Sequence, residues 1–302
     1  MGWEDVDIHV TMLADVSRTT AFERALKELV RPGMTVLDFG CGTGILSFLS
    51  RRAGAGHVFA VDSSPIIRIA EALARENGID GISFIRTSRS GALELPGKVD
   101  LMVSECLGYY LFTDQMLDAV FAARDRWLRR GGVMIPSSVV LKAALVTRPP
   151  RHPTLDYFDG PRYGLTFHRL REVAFAHRRT VSDMGLTASA TMGTLDFNSA
   201  CAEPSTTSGV VQLDQPVLAY GIAGWFEAFL SPEVTLDTGP SASLGHWGQS
   251  YFPFVEPREF AGVVTLNIDP VKLRRTHFRW SAESEKQHAQ GDDILPLTLL
   301  GV

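Results

Sequence analysis

Cysteine is scarce in this 302-residue chain: Cys41, Cys106 and Cys201 are the three, an odd count without paired spacing. That excludes a disulfide framework and offers no zinc-ligand pattern. Positive charge is not in excess either. The formal charge is -5 at pH 7, which disfavours broad binding to phosphate backbones or anionic lipid and fits a cationic partner somewhat better. The longest nearly apolar run, Pro216 to Leu230, falls short of the roughly 20 residues that cross a bilayer and contains Glu227. Met1 to Val6 has neither the basic start nor the apolar stretch of a secretory leader, and Val6 breaks the myristoylation pattern that Gly2 raises. A cytoplasmic protein with no membrane role is expected. Repeats and low-complexity tracts are also missing.

What is present is the composition of a globular protein, 45% hydrophobic and 21% charged, enough to bury a core in one large or two ordinary domains. From about Thr35 to Ile135, short β-branched runs alternate with longer amphipathic ones. This predicts a doubly wound α/β domain, with strands expected over 35–39, 57–61, 82–85, 99–104 and 133–135, helices between them and one helix before the first. Between Asp114 and Arg130, Met116, Leu117, Val120, Phe121 and Trp127 recur at helical spacing, and Gly131-Gly132 supplies a stop. Past Pro136 the runs become shorter and alternate, as in Val264 to Asp269 and His277 to Trp280, the pattern of antiparallel β-structure. Two domains are expected, 1–136 and 137–302, the second with a helical insert over about 151–187.

The stretch Val36 to Ile45 ends a strand and opens a helix, with Asp38, Gly40, Cys41, Gly42 and Gly44 at the turn. Glycines there let the backbone bend sharply and approach a ligand at the strand's carboxyl end. By itself the run could be a tight turn. A dinucleotide fingerprint needs a glycine at position 45, which is Ile, so the pyrophosphate reading weakens. Gly-x-Gly-x-Gly after an acidic strand residue instead resembles the first motif of the class I methyltransferases. That resemblance implies S-adenosylmethionine as cofactor, its amino-acid part against the loop and its ribose hydroxyls on Asp62, at the end of the second strand. A carboxylate accepts two O–H donors at once.

After the fourth strand comes Ser104-Glu105-Cys-Leu-Gly-Tyr-Tyr110, with a second acid, Asp114, nine residues beyond Glu105 and Met116 following. Both carboxylates can face a pocket beyond the strand ends. The segment resembles the double-acid hairpin of the protein arginine methyltransferases. The likeness covers Ile8 to about Phe252: Ile8, His9, Met12, Leu13, Asp15, Arg18 and Thr19 match the family's cofactor-covering helix, and Gly245 to Gln249 looks like its Thr-His-Trp loop.

Guanidinium chemistry calls for such residues. The group has a pKa above about 12 and a delocalised lone pair, so it is cationic and a poor nucleophile. Two carboxylates gripping different edges would localise the charge away from one terminal nitrogen and aim that nitrogen at the sulfonium methyl. Glu105 is expected as the principal acid and Asp114 as the second clamp, with His246 on Asp15 holding the N-terminal helix and relaying the proton. By the family likeness Arg18 binds the cofactor carboxylate with His9 close by. Met12 and Met116 shape the space at the acceptor nitrogen. Tyr109 and Tyr110 read as pocket wall, and Trp247 as an acceptor contact. Blander readings exist for each: Asp15 and Arg18 as a surface helical pair, His246 and Trp247 as a core pair, the methionines as core filling, and Asp114 as a helix N-cap.

The chain departs from the family pattern in three places. Asp114 is one methylene shorter than the family's glutamate. The stretch Thr87 to Ala92 lacks the acid that holds the adenine amino group, so Ser90 or backbone takes that contact. The family's aromatic N-terminal helix is short, with Trp3 as its remnant. The insert, with Tyr157, Phe158, Tyr163, Phe167 and Leu170, corresponds to a dimerisation arm, and a homodimer is expected. Protein arginine, free L-arginine or another small guanidino metabolite are all open as acceptors. A silent cofactor-binding scaffold is the rival class, disfavoured by Glu105, Asp114 and His246 together. A nucleic-acid acceptor is disfavoured because no Asn/Asp-Pro-Pro-aromatic run follows the fourth strand and no basic aromatic stripe exists. No metal is expected.

Overall fold

The structure is a computed structural model, which describes residues 5–87, 93–108, 110–111, 116–150, 157, 160–161, 163–167, 179–199, 207–242, 245–271 and 274–292. Two helices open it, α1 (Val6–Ala14) and α2 (Val16–Leu29). The sequence likeness treats this region as one helix, but the backbone breaks at Asp15, with φ -76° and ψ 86°. Asp15 caps α2 by accepting the Arg18 amide at 3.0 Å, one of the orphan donors of a helix start.

Five strands follow, β1 (Thr35–Phe39), β2 (His57–Asp62), β3 (Ile82–Arg86), β4 (Val99–Val103) and β5 (Leu128–Ile135), all parallel and ordered β3-β2-β1-β4-β5. Helices α3 (Ile45–Arg52), α4 (Ile67–Glu76) and α5 (Met116–Trp127) follow β1, β2 and β4, while the helix expected between β3 and β4 is not seen among the described residues. The winding reverses between β1 and β4, so the loops leaving their carboxyl ends flank one crevice, the usual ligand position in such sheets. One expectation is corrected: α5 stops at Trp127, and Gly131-Gly132 lie inside β5 instead of ending a helix. The register of β5 against β4 shifts between Val99 and Leu101, and Gly131 at φ +70° takes up that irregularity. Arg129 bonds Asp100 at 2.7 Å across the pair.

Nine further strands form a second, antiparallel sheet: β6 (Ser138–Arg148), β7 (Arg179–Val181), β8 (Gly185–Leu186), β9 (Ala190–Asp196), β10 (Thr207–Ser231), β11 (Val234–Asp237), β12 (Gln249–Val271), β13 (Arg274–Glu283) and β14 (His288–Asp292). The apolar run from Pro216 to Leu230 is the second half of β10. The strand alternates buried and exposed residues up to Leu213 and is continuously buried from Gly221 to Phe226, where it runs between β6 and β12. Of the expected helical insert, most lies outside the described residues, and its end is strand rather than helix, in β7 and β8. No helix among the described residues is long and apolar enough to cross a membrane. One continuous apolar cluster joins the two sheets, with Leu107, Leu111 and Phe121 packed among Phe197, Phe226, Trp247 and Phe252.

Candidate active site

The loop after β1 is stitched to β2. The Gly40 and Cys41 amides both donate to the Val61 carbonyl, at 2.8 and 2.9 Å. The Asp62 carboxylate takes the Gly42 amide on one oxygen and the Ser64 amide on the other, each at 2.8 Å. A side chain has no room on this loop: a Cβ at Gly40 would lie 2.7 Å from the Cys106 sulfur, and one at Gly42 would lie 3.2 Å from the His9 ring. Both glycines also sit at positive φ, +82° and +53°, and Gly44 at +86° starts α3. His9, on α1, is therefore packed against the loop, as the resemblance implies.

Beneath it Asp38 is fully buried. One oxygen accepts the Ser47 hydroxyl at 2.6 Å, while the other has no hydrogen-bond partner among the described residues. Burial pushes its carboxyl up to about 7. A buried acceptor without a donor marks a place for one. A cationic amino group would supply the donor that Asp38 lacks, and each Asp62 oxygen, already holding one amide, has a lone pair left for a ribose hydroxyl. The residues present thus fit S-adenosylmethionine. Burial raises the Cys41 thiol well above its usual range, which keeps it neutral.

Across the crevice, Ser104 fixes the end of β4 by donating its amide to Ile135 and its hydroxyl to Phe39, at 3.0 and 2.8 Å. Glu105 comes next, nearly buried, and its Oε2 receives Nε and Nη2 of Arg18 at 2.8 and 2.6 Å. A third bond runs from Arg18 Nη1 to the Met12 carbonyl at 3.1 Å. The sequence places Arg18 on the cofactor carboxylate; its guanidinium here lies on Glu105, and a buried pair of this kind compensates both charges. Leu107 follows, its carbonyl accepting the indole N–H of Trp247 at 2.7 Å. The backbone then turns through Tyr110 and Leu111 at φ +49° and +69°. Two left-handed residues with side chains cost on the order of 1 kcal/mol each, which the surrounding structure must offset.

The Gly245-to-Gln249 loop closes the site from the antiparallel sheet. Both the amide and Nδ1 of His246 donate to Asp15 Oδ2 at 2.9 Å. Burial works to raise the Asp15 carboxyl, but the hydrogen bonds from Arg18 and His246 outweigh it and hold it below the ordinary carboxylate range. In a neutral ring that donates through Nδ1, Nε2 is the acceptor. The reading of Asp15 and Arg18 as a surface pair is corrected: both are buried, and each reaches a different partner.

The structure therefore gathers His9, Met12, Asp15, Arg18, Glu105 and His246 around the junction of α1 and α2, beside Asp38 on β1, the loop Gly40 to Gly44 and Asp62 at the end of β2. Met116 stands half-buried at the start of α5. Trp247 is 4% exposed and holds Leu107, which places it behind the acceptor loop. Ser90, Tyr109 and Asp114 lie outside the described residues. Sequence reasoning missed Ser47, whose only signal is its place on α3 facing the acid of β1, and it gave Tyr110 the wrong surroundings, since that side chain is core.

A family model described as a methyltransferase domain matches residues 36–132. Protein arginine N-methyltransferase 6 of Xenopus laevis is 33% identical over 298 residues, covering 90% of this chain and 87% of the relative. Protein arginine N-methyltransferase 1 of Chlamydomonas reinhardtii is 30% identical, covering 81% and 74%. Among solved structures, the Trypanosoma brucei PRMT1 enzyme–prozyme heterotetrameric complex with AdoHcy superposes with a TM-score of 0.84 at 26% identity, over 96% of this chain and 98% of that one. The likeness runs through both sheets and the loops between them, and the chain belongs to the protein arginine N-methyltransferase family.

Proposed function

We propose that this protein transfers a methyl group from S-adenosylmethionine to a terminal guanidino nitrogen of arginine in a protein or peptide. The observation that carries this is Glu105: a nearly buried carboxylate paired through one oxygen with Arg18 at the end of β4, opposite the glycine loop at the switch of the sheet. When bound, S-adenosylmethionine supplies an electrophilic methyl on its sulfonium and is released as S-adenosylhomocysteine. Asp62 and the loop glycines hold its nucleoside and amino-acid parts, with Asp38 as acceptor for the amino group and Ser90 or backbone for the adenine.

The remaining steps belong to side chains of this chain. Both Arg18 bonds fall on Oε2, so Oε1 of Glu105 grips the acceptor guanidinium, and Asp114 takes the other edge. That grip draws positive charge away from the reacting nitrogen, which Met12 and Met116 confine and Tyr109 walls. His246, its Nδ1 held by Asp15, presents Nε2 as the station for the released proton.

The acceptor domain is 137–302 and the cofactor domain 1–136, with the arm over about 151–187. The sheet type changes between Ile135 and Ser138. The protein works as a cytoplasmic homodimer. Val6, Val10 and Leu13 form an exposed apolar row on α1, and Tyr157, Tyr163 and Leu165 are exposed apolar residues in the arm. Product mass spectrometry after offering an arginine-glycine-rich peptide beside free L-arginine tests the assignment: methylarginine in the peptide is expected. Methylated free arginine alone would shift the acceptor to a small guanidino compound, and no S-adenosylhomocysteine at all would indicate a silent scaffold.

A further inference from the structure

Tyr110 lies five residues beyond Glu105, in the loop that carries the acceptor chemistry, yet its side chain leaves the site and enters the antiparallel sheet. It is 2% exposed, with its ring edge-to-face on Phe252 at 5.6 Å and on Phe278 at 6.3 Å. The hollow it fills exists because position 224 is glycine. A Cβ there would come within 2.6 Å of Cε2 and 2.8 Å of Cδ2 of Tyr110. Gly224 pairs with Ala143 on one side and Ser250 on the other, in the middle of β10, and its φ is not positive. Glycine weakens a central strand, so with an ordinary backbone its use is to admit a neighbour. The neighbour is the Tyr110 ring.

We infer that Tyr110 is a positioning residue: seated over Gly224, it fixes the loop from Glu105 to Leu111, so that the antiparallel sheet sets the geometry in which the acceptor guanidinium is held. This rests on the function proposed above. Two left-handed residues in sequence, Tyr110 and Leu111, persist only where the surroundings overdetermine them, and the loop itself has one internal hydrogen bond among the described residues, Leu111 N–H to Gly108 at 2.9 Å. Its first residues are held by Arg18 on Glu105 and by Phe39 on the Cys106 thiol, while beyond them the tie comes from the same sheet domain, through Trp247 to Leu107. The atoms that approach Gly224 are the ring carbons Cδ2 and Cε2, while the hydroxyl is buried near Thr207, so the ring is what seats the residue.

The test compares Tyr110→Phe, Tyr110→Leu, Gly224→Ala and the double variant Gly224→Ala/Tyr110→Leu in the full chain. Turnover on an arginine-glycine-rich peptide, S-adenosylhomocysteine affinity by calorimetry and amide exchange at Leu111 are measured for each. Gly224→Ala is expected to lower kcat by about tenfold or more, because small displacements of reacting groups are costly, and to speed exchange at Leu111. Cofactor affinity stays within about threefold, since its loop is held by β2 and α1. The double variant regains most of the lost turnover because the smaller side chain relieves the clash. Tyr110→Phe behaves as wild type. Tyr110→Leu alone speeds Leu111 exchange and lowers kcat, and it decides the matter if Gly224→Ala does not fold. Wild-type kcat and exchange in Gly224→Ala, or in Tyr110→Leu where that variant decides, would overturn the inference, as would a double variant no better than the single. An inactive wild type refutes the proposed function instead, and the exchange data still judge Tyr110.

Discussion

Glu105 and Arg18 are both nearly dry, so a change in either leaves the other as an uncompensated charge. Glu105→Gln is expected to abolish turnover while S-adenosylhomocysteine still binds, and to lower the melting temperature, since breaking a buried pair from one side costs roughly 3 kcal/mol or more. Activity, calorimetry and a thermal scan on the same sample check all three, and an active variant removes Glu105 from the chemistry. Asp38 makes a different statement about pH. Its folded value, about 7, lies above the ordinary carboxyl value of 3.8, so the folded state holds a proton that the unfolded chain releases. Its contribution to stability is fully present below about 4 and is lost as pH rises through about 7. Urea titrations of the cofactor-free protein between those limits should show a stability that falls with pH, and Asp38→Asn should flatten the slope. Asp15, held low, acts in the opposite sense and only on the acid side: its contribution is lost as pH falls below the ordinary carboxylate range.

Among the elements, the break between α1 and α2 organises the site. Asp15 ends one helix, caps the next and tethers His246, while the helix it caps projects Arg18 onto Glu105. Asp15→Ala therefore removes a cap worth about 1 kcal/mol and the tether together. Asp15→Asn keeps a good cap but loses the charge that orients the imidazole. Near-normal melting with reduced kcat is expected for Asn, against loss of both for Ala. If the two variants are equally active, His246 has no need of the tether. The helix break was readable as an Asp three residues before Arg18, yet the family likeness, which takes Ile8 to Thr19 as one helix, passes over it. The end of α5 was misread for another reason. Two glycines usually stop a helix, but here they relieve a register shift in β5, which depends on β4, a strand separate in sequence.

For the whole molecule, the apolar cluster that joins the two sheets makes them one cooperative unit, and the acceptor loop is built where they meet. A single thermal transition is expected, together with a dimeric mass by light scattering at micromolar concentration. A monomeric mass would show that the exposed row on α1 and the arm aromatics serve another purpose. The five strands of the first sheet were legible along the chain because each is a short apolar or β-branched run, but their order across the sheet was not. The second sheet was legible only as β-structure. Its longest strand, β10, has 25 residues and changes partners and pattern along its length, so no local period reports its extent.

The class of chemistry could be read from local patterns: a glycine loop behind Asp38, an acid at the end of β2, and Glu105 after β4 are residue types that a sulfonium cofactor and a guanidinium call for. The tertiary structure decided the partners. Arg18 meets Glu105 across 87 residues and Tyr110 sits over a glycine in the opposite sheet, whereas the His246 bond to Asp15, across 231, was expected from the family likeness and not from spacing. Such contacts carry no sequence signal of their own because local spacing constrains only residues within a turn or a strand. Burial of charge and the filling of space act between whatever the fold brings into contact.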